Sequence, residues 1–232
     1  MNHSEVLRVA REETCRVATL GASWPDDLER SRLSDLLDEL GPQAPTLLQP
    51  WSARDLAAHL VLREHDMLAA PGLVVPGWWS ELAQRRQRRL ALREFAWLIA
   101  TIRHGPPLGC FRLPWVRRGP NLNEFFVHHE DVRRANRYAP RAYERTMNDA
   151  LWRIVRMGGP YLARRLRGAG LVLHWAGTAQ TVIVRRAEPT ARITGLPGEL
   201  LLYLFGGERQ RLSKRPGSDP AIEAVRSGRF GM

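Results

Sequence analysis

Three ionisable residues fall on one stripe of a helix predicted over residues 122–136. Glu124 and His128 are four positions apart, and Asp131 follows three positions later. At about 100° per residue, this spacing places the three side chains on the same helix face. Apolar residues flank that stripe, so we expect it to be buried. Burial of unpaired carboxylates and imidazoles costs several kcal/mol, so they must be satisfied by one another, by a cation or by water.

A second predicted helix repeats this pattern. It begins where Ser52 and Asp55 have the spacing of a capping box, and it runs to about residue 68. His59 projects between leucines on the apolar face of this helix, and Arg63 lies near the same stripe. Two helices that each carry a polar line inside an apolar face are typical of a helix bundle with a metal in its core.

Two histidines and one carboxylate, here His59, His128 and Glu124, form a three-ligand set with an open coordination position, as in catalytic metal sites. Zinc is the first choice, and Fe²⁺ or Ni²⁺ would also suit these ligands. Asp131 could orient a ligand or accept a proton, and Arg63 could hold an anionic group of a substrate. The alternative is a pair of core histidines that are hydrogen-bonded to the two carboxylates without a metal.

The same periodicity gives the remaining ionisable residues of these helices other roles. His129 points about 100° away from His128, so we expect it to have a surface or packing role, and we expect the same of His65. Three charged residues that follow His129 are predicted to point away from the buried stripe: Glu130, Arg133 and Arg134.

The elements that position these residues are mainly helical. Four helices with proline-marked joints predict an antiparallel bundle, over residues 25–40, 52–68, 80–103 and 122–136. A helix over residues 143–167 follows, then a hairpin of strands over 171–175 and 181–185, a third strand over 192–194, and helices over 197–205 and 220–226. The predicted fold class is therefore mainly α with a small α+β tail, divided into an N-terminal extension (1–26), a four-helix bundle (27–138) and a C-terminal α+β region (139–232).

Composition excludes several classes of protein. The apolar runs are far shorter than the ~20 residues that span a bilayer, and charged residues interrupt any signal peptide, so we expect a soluble cytoplasmic protein. Two cysteines cannot form a disulfide framework. The sequence contains no GxGxxG, GxxxxGK[ST], HExxH or GxSxG motif, which argues against nucleotide-dependent transfer and α/β-hydrolase chemistry.

The net charge of +11 favours anionic partners. The densest arginine cluster lies on the third predicted helix, and we interpret it as a solvated face, with a basic module that binds nucleic acid as the less favoured alternative. Its members are Arg85, Arg86, Arg88, Arg89 and Arg93.

The segment from Trp51 to Leu60, WSARDLAAHL, resembles the metal-ligand helix of the mycothiol-dependent maleylpyruvate isomerase family. That family is part of the DinB-like superfamily of four-helix bundle metalloproteins. Its second signature, a Glu, a His four residues on and an Asp three after that, is matched by Glu124, His128 and Asp131. The stretches FFVHHEDVRRA and GELLLYLFG are similar to an actinobacterial branch of metal-binding proteins, and the resemblance runs from about Asp27 to the C-terminus.

The resemblance implies that His59, Glu124 and His128 bind a metal, usually zinc, and that mycothiol is the cosubstrate of an isomerase or transferase. The substrate would be a small electrophile, since a thiolate formed at the ion would add to it or displace a leaving group. The same ion could instead activate water, as in a metal-dependent hydrolase. The sequence favours a small-molecule substrate over nucleic acid or a membrane, and it leaves the oligomeric state open.

Overall fold

A computed structural model describes residues 24–66, 78–106 and 109–206 of the 232-residue chain. The described residues are mainly helical, with one small sheet near the C-terminal end. Seven helices of more than one turn lie in these ranges: α1 Pro25–Leu40, α2 Ala53–His65, α3 Trp78–Ala91, α4 Phe95–His104, α5 Leu122–Ala135, α6 Arg145–Leu162 and α7 Pro197–Leu204. The three strands are β1 Gly170–Trp175, β2 Thr181–Arg185 and β3 Thr190–Gly195. Residues 1–23 and the helix predicted over residues 220–226 lie outside the described residues.

The first two helices begin where the sequence predicts. Proline occupies the first position of α1, and Gly41 ends that helix with φ +80, a backbone conformation that glycine adopts without strain. The predicted capping box starts α2: the Ser52 side chain accepts a bond from the Asp55 backbone, and the Asp55 carboxylate accepts one from the Ser52 backbone at 2.9 Å. These bonds satisfy N–H groups that the first turn leaves free, and they fix the start of the helix that carries His59.

The prediction of a single helix over residues 80–103 is wrong. The chain forms two helices, α3 and α4, with a break at residues 92–94. Arg54 of α2 explains the break, because its guanidinium donates to the backbone oxygens of Ala91 at 3.1 Å and Arg93 at 2.8 Å. In a continuous helix these carbonyl groups would accept hydrogen bonds from N–H groups of the same helix. Here they accept them from a side chain of α2 instead.

The helix α5 lies between two apolar clusters. On one side, α1 packs against α4 and α5, and α2 packs against α3 and α4; their leucines form a cluster with Phe125 of α5. On the other side, Phe126 belongs to a second cluster that α6, the sheet and α7 complete. Neighbouring positions of α5 therefore contribute to different clusters, which leaves little of the helix facing solvent.

The sheet has the strand order β2-β1-β3. Strands β1 and β2 form the predicted antiparallel hairpin, and β3 pairs in parallel with β1 over Thr190–Gly195, a longer strand than predicted. One face of the sheet is buried through β1 residues such as Leu171 and Leu173. Among the described residues, no helix is both long enough and apolar enough to cross a bilayer.

Candidate metal centre

The helix α2 presents His59 on the side that faces α5. The surrounding positions Leu56 and Leu60 are fully buried, which anchors this face of α2 in the interior. The His59 side chain keeps 12% of its exposure, and its ring lies 5.1 Å from the ring of Trp51, measured between centroids. The imidazole therefore sits at the edge of the apolar cluster, partly open to solvent.

The other two candidate ligands come from the first two turns of α5. A π-helical segment, Arg117–Asn121, leads directly into this helix, so the backbone is already helical before Leu122. Segments of this kind occur often at functional sites. The i,i+4 spacing then places Glu124 and His128 on one face of α5, as the sequence predicts.

The structure brings the three candidate ligands together. The Nε2 atom of His59 lies 3.0 Å from Oε1 of Glu124, and Nε2 of His128 lies 3.1 Å from the same oxygen. One ligand atom from each of the three residues lies within 4.8 Å of the other two. Bonds of about 2.0–2.2 Å to a tetrahedral ion separate its ligand atoms by roughly 3.4 Å. The donor types and their spacing therefore fit a single divalent ion with small side-chain movements.

Asp131 contacts His128 on the side of its ring that faces away from Glu124. Its Oδ2 atom lies 3.2 Å from Nδ1 of His128, and its side chain is fully buried. A carboxylate at the far nitrogen of a ligand histidine fixes the ring orientation and increases the basicity of the nitrogen that faces the metal. The contact is the one that an orienting role of Asp131 would require.

The metal-free cluster has strongly shifted pKa values. Burial raises the pKa of Glu124, but hydrogen bonds with His128 and His59 and the charge of Arg63 outweigh it and hold the pKa well below its usual range. Burial lowers the pKa of His128, but hydrogen bonds with Asp131 and Glu124 outweigh it and raise the pKa to about 9. A metal must therefore displace a proton from His128, since imidazole binds metals in its neutral form.

His59 differs from His128 in its support. Its Nδ1 atom is buried and has no hydrogen-bond partner among the described residues. The Nδ1 atom of His59 therefore lacks the carboxylate partner that Asp131 provides to Nδ1 of His128, and the ring of Trp51 lies beside the His59 imidazole instead.

Arg63, the fifth residue singled out from the sequence, lies one turn beyond His59 and reaches the same cluster. Its Nε atom lies 3.7 Å from Oε2 of Glu124. Asn121, which accepts a hydrogen bond from Arg63 at 2.8 Å, is a residue that sequence reasoning missed. Asn121 lies three positions before Glu124, so same-face spacing was the signal that could have identified it.

Glu130 and Arg134, which are predicted to point away from the buried stripe, belong to a second buried network. Glu130 is 2% exposed, accepts a hydrogen bond from Arg134, and is also bonded to Arg141 and Tyr143. His129 is buried as well and bonds Glu29 of α1 at 2.9 Å, which makes it a packing residue. Glu130 and His129 are buried because the segment after α5 and the first turns of α1 cover this face of α5. Helical periodicity does not report such covering elements.

Glu29 makes the acid stability of this buried network testable. Burial raises its pKa, but bonds with His129 and Arg141 outweigh it and lower the pKa below the usual 4.5. A carboxylate with a lowered pKa stabilises the fold above pH 4.5, and that contribution is lost as the pH falls through the folded-state pKa. The contribution of the Glu29 carboxylate to the difference in unfolding free energy between wild type and Glu29→Gln should therefore shrink as the pH falls below about 4.5. Urea titrations followed by circular dichroism measure this difference, and a difference independent of pH would contradict the assignment.

Comparison with models of known protein families, with curated proteins and with solved structures finds no match to this chain.

Proposed function

We propose that this protein binds one divalent metal ion, preferably zinc, through His59, Glu124 and His128. We further propose that it is a DinB-like isomerase or transferase that uses mycothiol as a cosubstrate on a small electrophile. In this proposal α1, α2, the broken pair α3–α4 and α5 correspond to the four-helix bundle of that superfamily. The observation that carries the proposal is the convergence of two imidazoles and a carboxylate from two helices, with His59 and Glu124 65 positions apart in sequence.

The residues around the cluster have separable tasks. His59, Glu124 and His128 would hold the ion and leave a position for an outside ligand. An ion held there supplies Lewis-acid chemistry, which lowers the pKa of a thiol or of water. Asp131 keeps Nε2 of His128 turned toward Glu124. Among the described residues, the clustered set contains no cysteine, which is consistent with a nucleophilic thiol that comes from a second molecule.

Metal content and thiol dependence test this proposal in one preparation. The full chain, stripped of metal and titrated with Zn²⁺, should bind about one equivalent per chain. The zinc-loaded protein should then convert one member of a panel of small electrophiles only when mycothiol is present, and the metal-stripped protein should not. A transferase consumes free thiol in step with the electrophile, whereas an isomerase returns the thiol unchanged. Binding well below one equivalent would contradict the metal site, and conversion that is unaffected by zinc or by mycothiol would contradict the transferase or isomerase assignment.

The open coordination position also supports a second candidate, a metal-dependent hydrolase in which water is the nucleophile. The two candidates differ in one requirement. Turnover of ester or amide substrates by zinc-loaded protein without any added thiol would favour hydrolysis, and turnover that needs mycothiol would favour the first candidate.

A further inference from the structure

The two carboxylate oxygens of Glu124 have different surroundings. Oε1 faces both imidazoles, at 3.0 Å from His59 and 3.1 Å from His128. Oε2 faces the guanidinium of Arg63, whose Nε atom lies 3.7 Å away. The two oxygens are thus assigned to different partners, one to the imidazoles and one to a fixed positive charge.

Arg63 is itself held in place by groups around the start of α5. Its Nη1 atom donates to Oδ1 of Asn121 at 2.8 Å, and Nη2 donates to the backbone oxygen of Pro120 at 3.3 Å. The ring of Phe111 lies under the guanidinium, with 4.8 Å between the ring centroid and the central carbon. Only 13% of the side chain is exposed. The planar fork of arginine therefore has partners on several sides before any substrate arrives.

The carboxylate of Glu64 provides a further restraint. It lies 4.0 Å from Nη1 of Arg63 and is bonded through both oxygens to Arg30 of α1, with one of these bonds at 2.6 Å. A row of alternating charges thus runs from Glu124 through Arg63 and Glu64 to Arg30. Movement of the Arg63 guanidinium toward solvent would separate it from both carboxylates, so the row keeps it beside Glu124.

We propose that Arg63 is a positioning residue that restricts Glu124 to a single metal-facing oxygen. This inference rests on the proposed metal site. With Oε2 in an ion pair with the guanidinium, at 3.7 Å, Glu124 contributes one ligand atom, and the three-residue set leaves a position for an outside ligand. Without the guanidinium, Oε2 is free to turn toward the ion as a second ligand atom and fill that position. Arg63 thereby determines how many coordination positions the protein occupies, a role distinct from receiving a substrate anion.

The test compares Arg63→Gln and Arg63→Lys with wild type, each loaded with Co²⁺, whose visible absorption weakens strongly as the coordination number rises. Arg63→Gln should show weaker and shifted absorption, because Oε2 of Glu124 joins the ligand set. Its Zn²⁺ affinity, measured by competition with a chromophoric chelator, should not fall, since the variant gains a ligand atom and loses a neighbouring positive charge. Arg63→Lys, which keeps the charge but lacks the fork, should lie between the two. If Arg63→Gln is unfolded by circular dichroism, the shift of the Arg63→Lys spectrum from wild type decides.

Arg103→Gln is the matched control, because Arg103 also pairs with a carboxylate, Asp35, but on α4 and α1. Its Co²⁺ spectrum and Zn²⁺ affinity should equal those of wild type. An unchanged spectrum in Arg63→Gln overturns the inference, whether or not the affinity falls. If wild-type protein binds neither ion, the proposed metal site fails and this inference fails with it, whereas binding by wild type with an unchanged variant overturns this inference alone.

Discussion

Replacing His128 with alanine should lower the affinity of the protein for Zn²⁺ by about two orders of magnitude or more. Binding free energies of structural zinc sites are about 10–16 kcal/mol, shared among four ligands, so one ligand contributes about 3 kcal/mol, which is roughly a hundredfold in affinity. His59→Ala should cause a loss of the same order, since both imidazoles lie equally close to Oε1 of Glu124. Titration against a chromophoric zinc chelator measures the affinities.

A second histidine of α2, the helix that carries His59, provides the control for this prediction. His65 lies at the end of α2 and is exposed, so His65→Ala should leave Zn²⁺ binding within about twofold of wild type. Equal losses in all three variants would point to non-specific zinc binding by surface imidazoles. Wild-type affinity in both His59→Ala and His128→Ala would favour the alternative of hydrogen-bonded core histidines without a metal.

The candidate ligands could be identified from sequence because helical spacing is a strong local constraint. Glu124, His128 and Asp131 share a face for any regular helix over these positions, and the flanking apolar residues indicate that the face is inward. His59 shows the same pattern on α2. What spacing could not predict is the distance between the two helices, which depends on the leucines of α1, α2 and α4 that pack around Phe125.

The break between α3 and α4 has no comparable local signal. No proline or glycine lies at residues 92–94, so propensity predicts a continuous helix there. The groups that favour the break come from Arg54, about 40 positions earlier in the chain. An arginine on one helix that bonds carbonyls of another is a tertiary interaction, and no pattern within residues 80–103 reports it.

The orientation of Glu130 shows a second limit. Periodicity places Glu130 away from the His128 stripe, and that much agrees with the structure. Periodicity does not report that Glu130 is buried, because α5 is covered on two sides and Arg141 and Tyr143 pack over the second side. A helix that contributes to two clusters has few solvated positions, so charged residues on it must find partners inside the protein.

Replacing Arg141 with methionine should destabilise the protein by about 3–5 kcal/mol, the range observed when one partner of a buried ion pair is removed. Arg141 donates from Nη1 and Nη2 to Glu29, at 3.0 Å and 2.9 Å, and from Nε to Glu130 at 2.8 Å. Both carboxylates are almost fully buried. The variant would leave two buried negative charges with fewer donors, while methionine preserves most of the side-chain volume. Urea unfolding followed by circular dichroism measures the loss.

Two further variants decide whether the cost comes from buried charge. Arg145→Met removes an arginine that is 91% exposed and whose Nε atom forms a long ion pair with Oδ2 of Asp149, at 3.8 Å. This variant should therefore change the unfolding free energy by less than about 0.5 kcal/mol. The double variant Arg141→Met with Glu29→Gln removes one of the stranded charges, so its loss should be smaller than the sum of the two single losses. Strict additivity would mean that Arg141 and Glu29 stabilise the fold independently. In that case the network would not be what fixes α5, and with it His128, against α1 and the segment that follows.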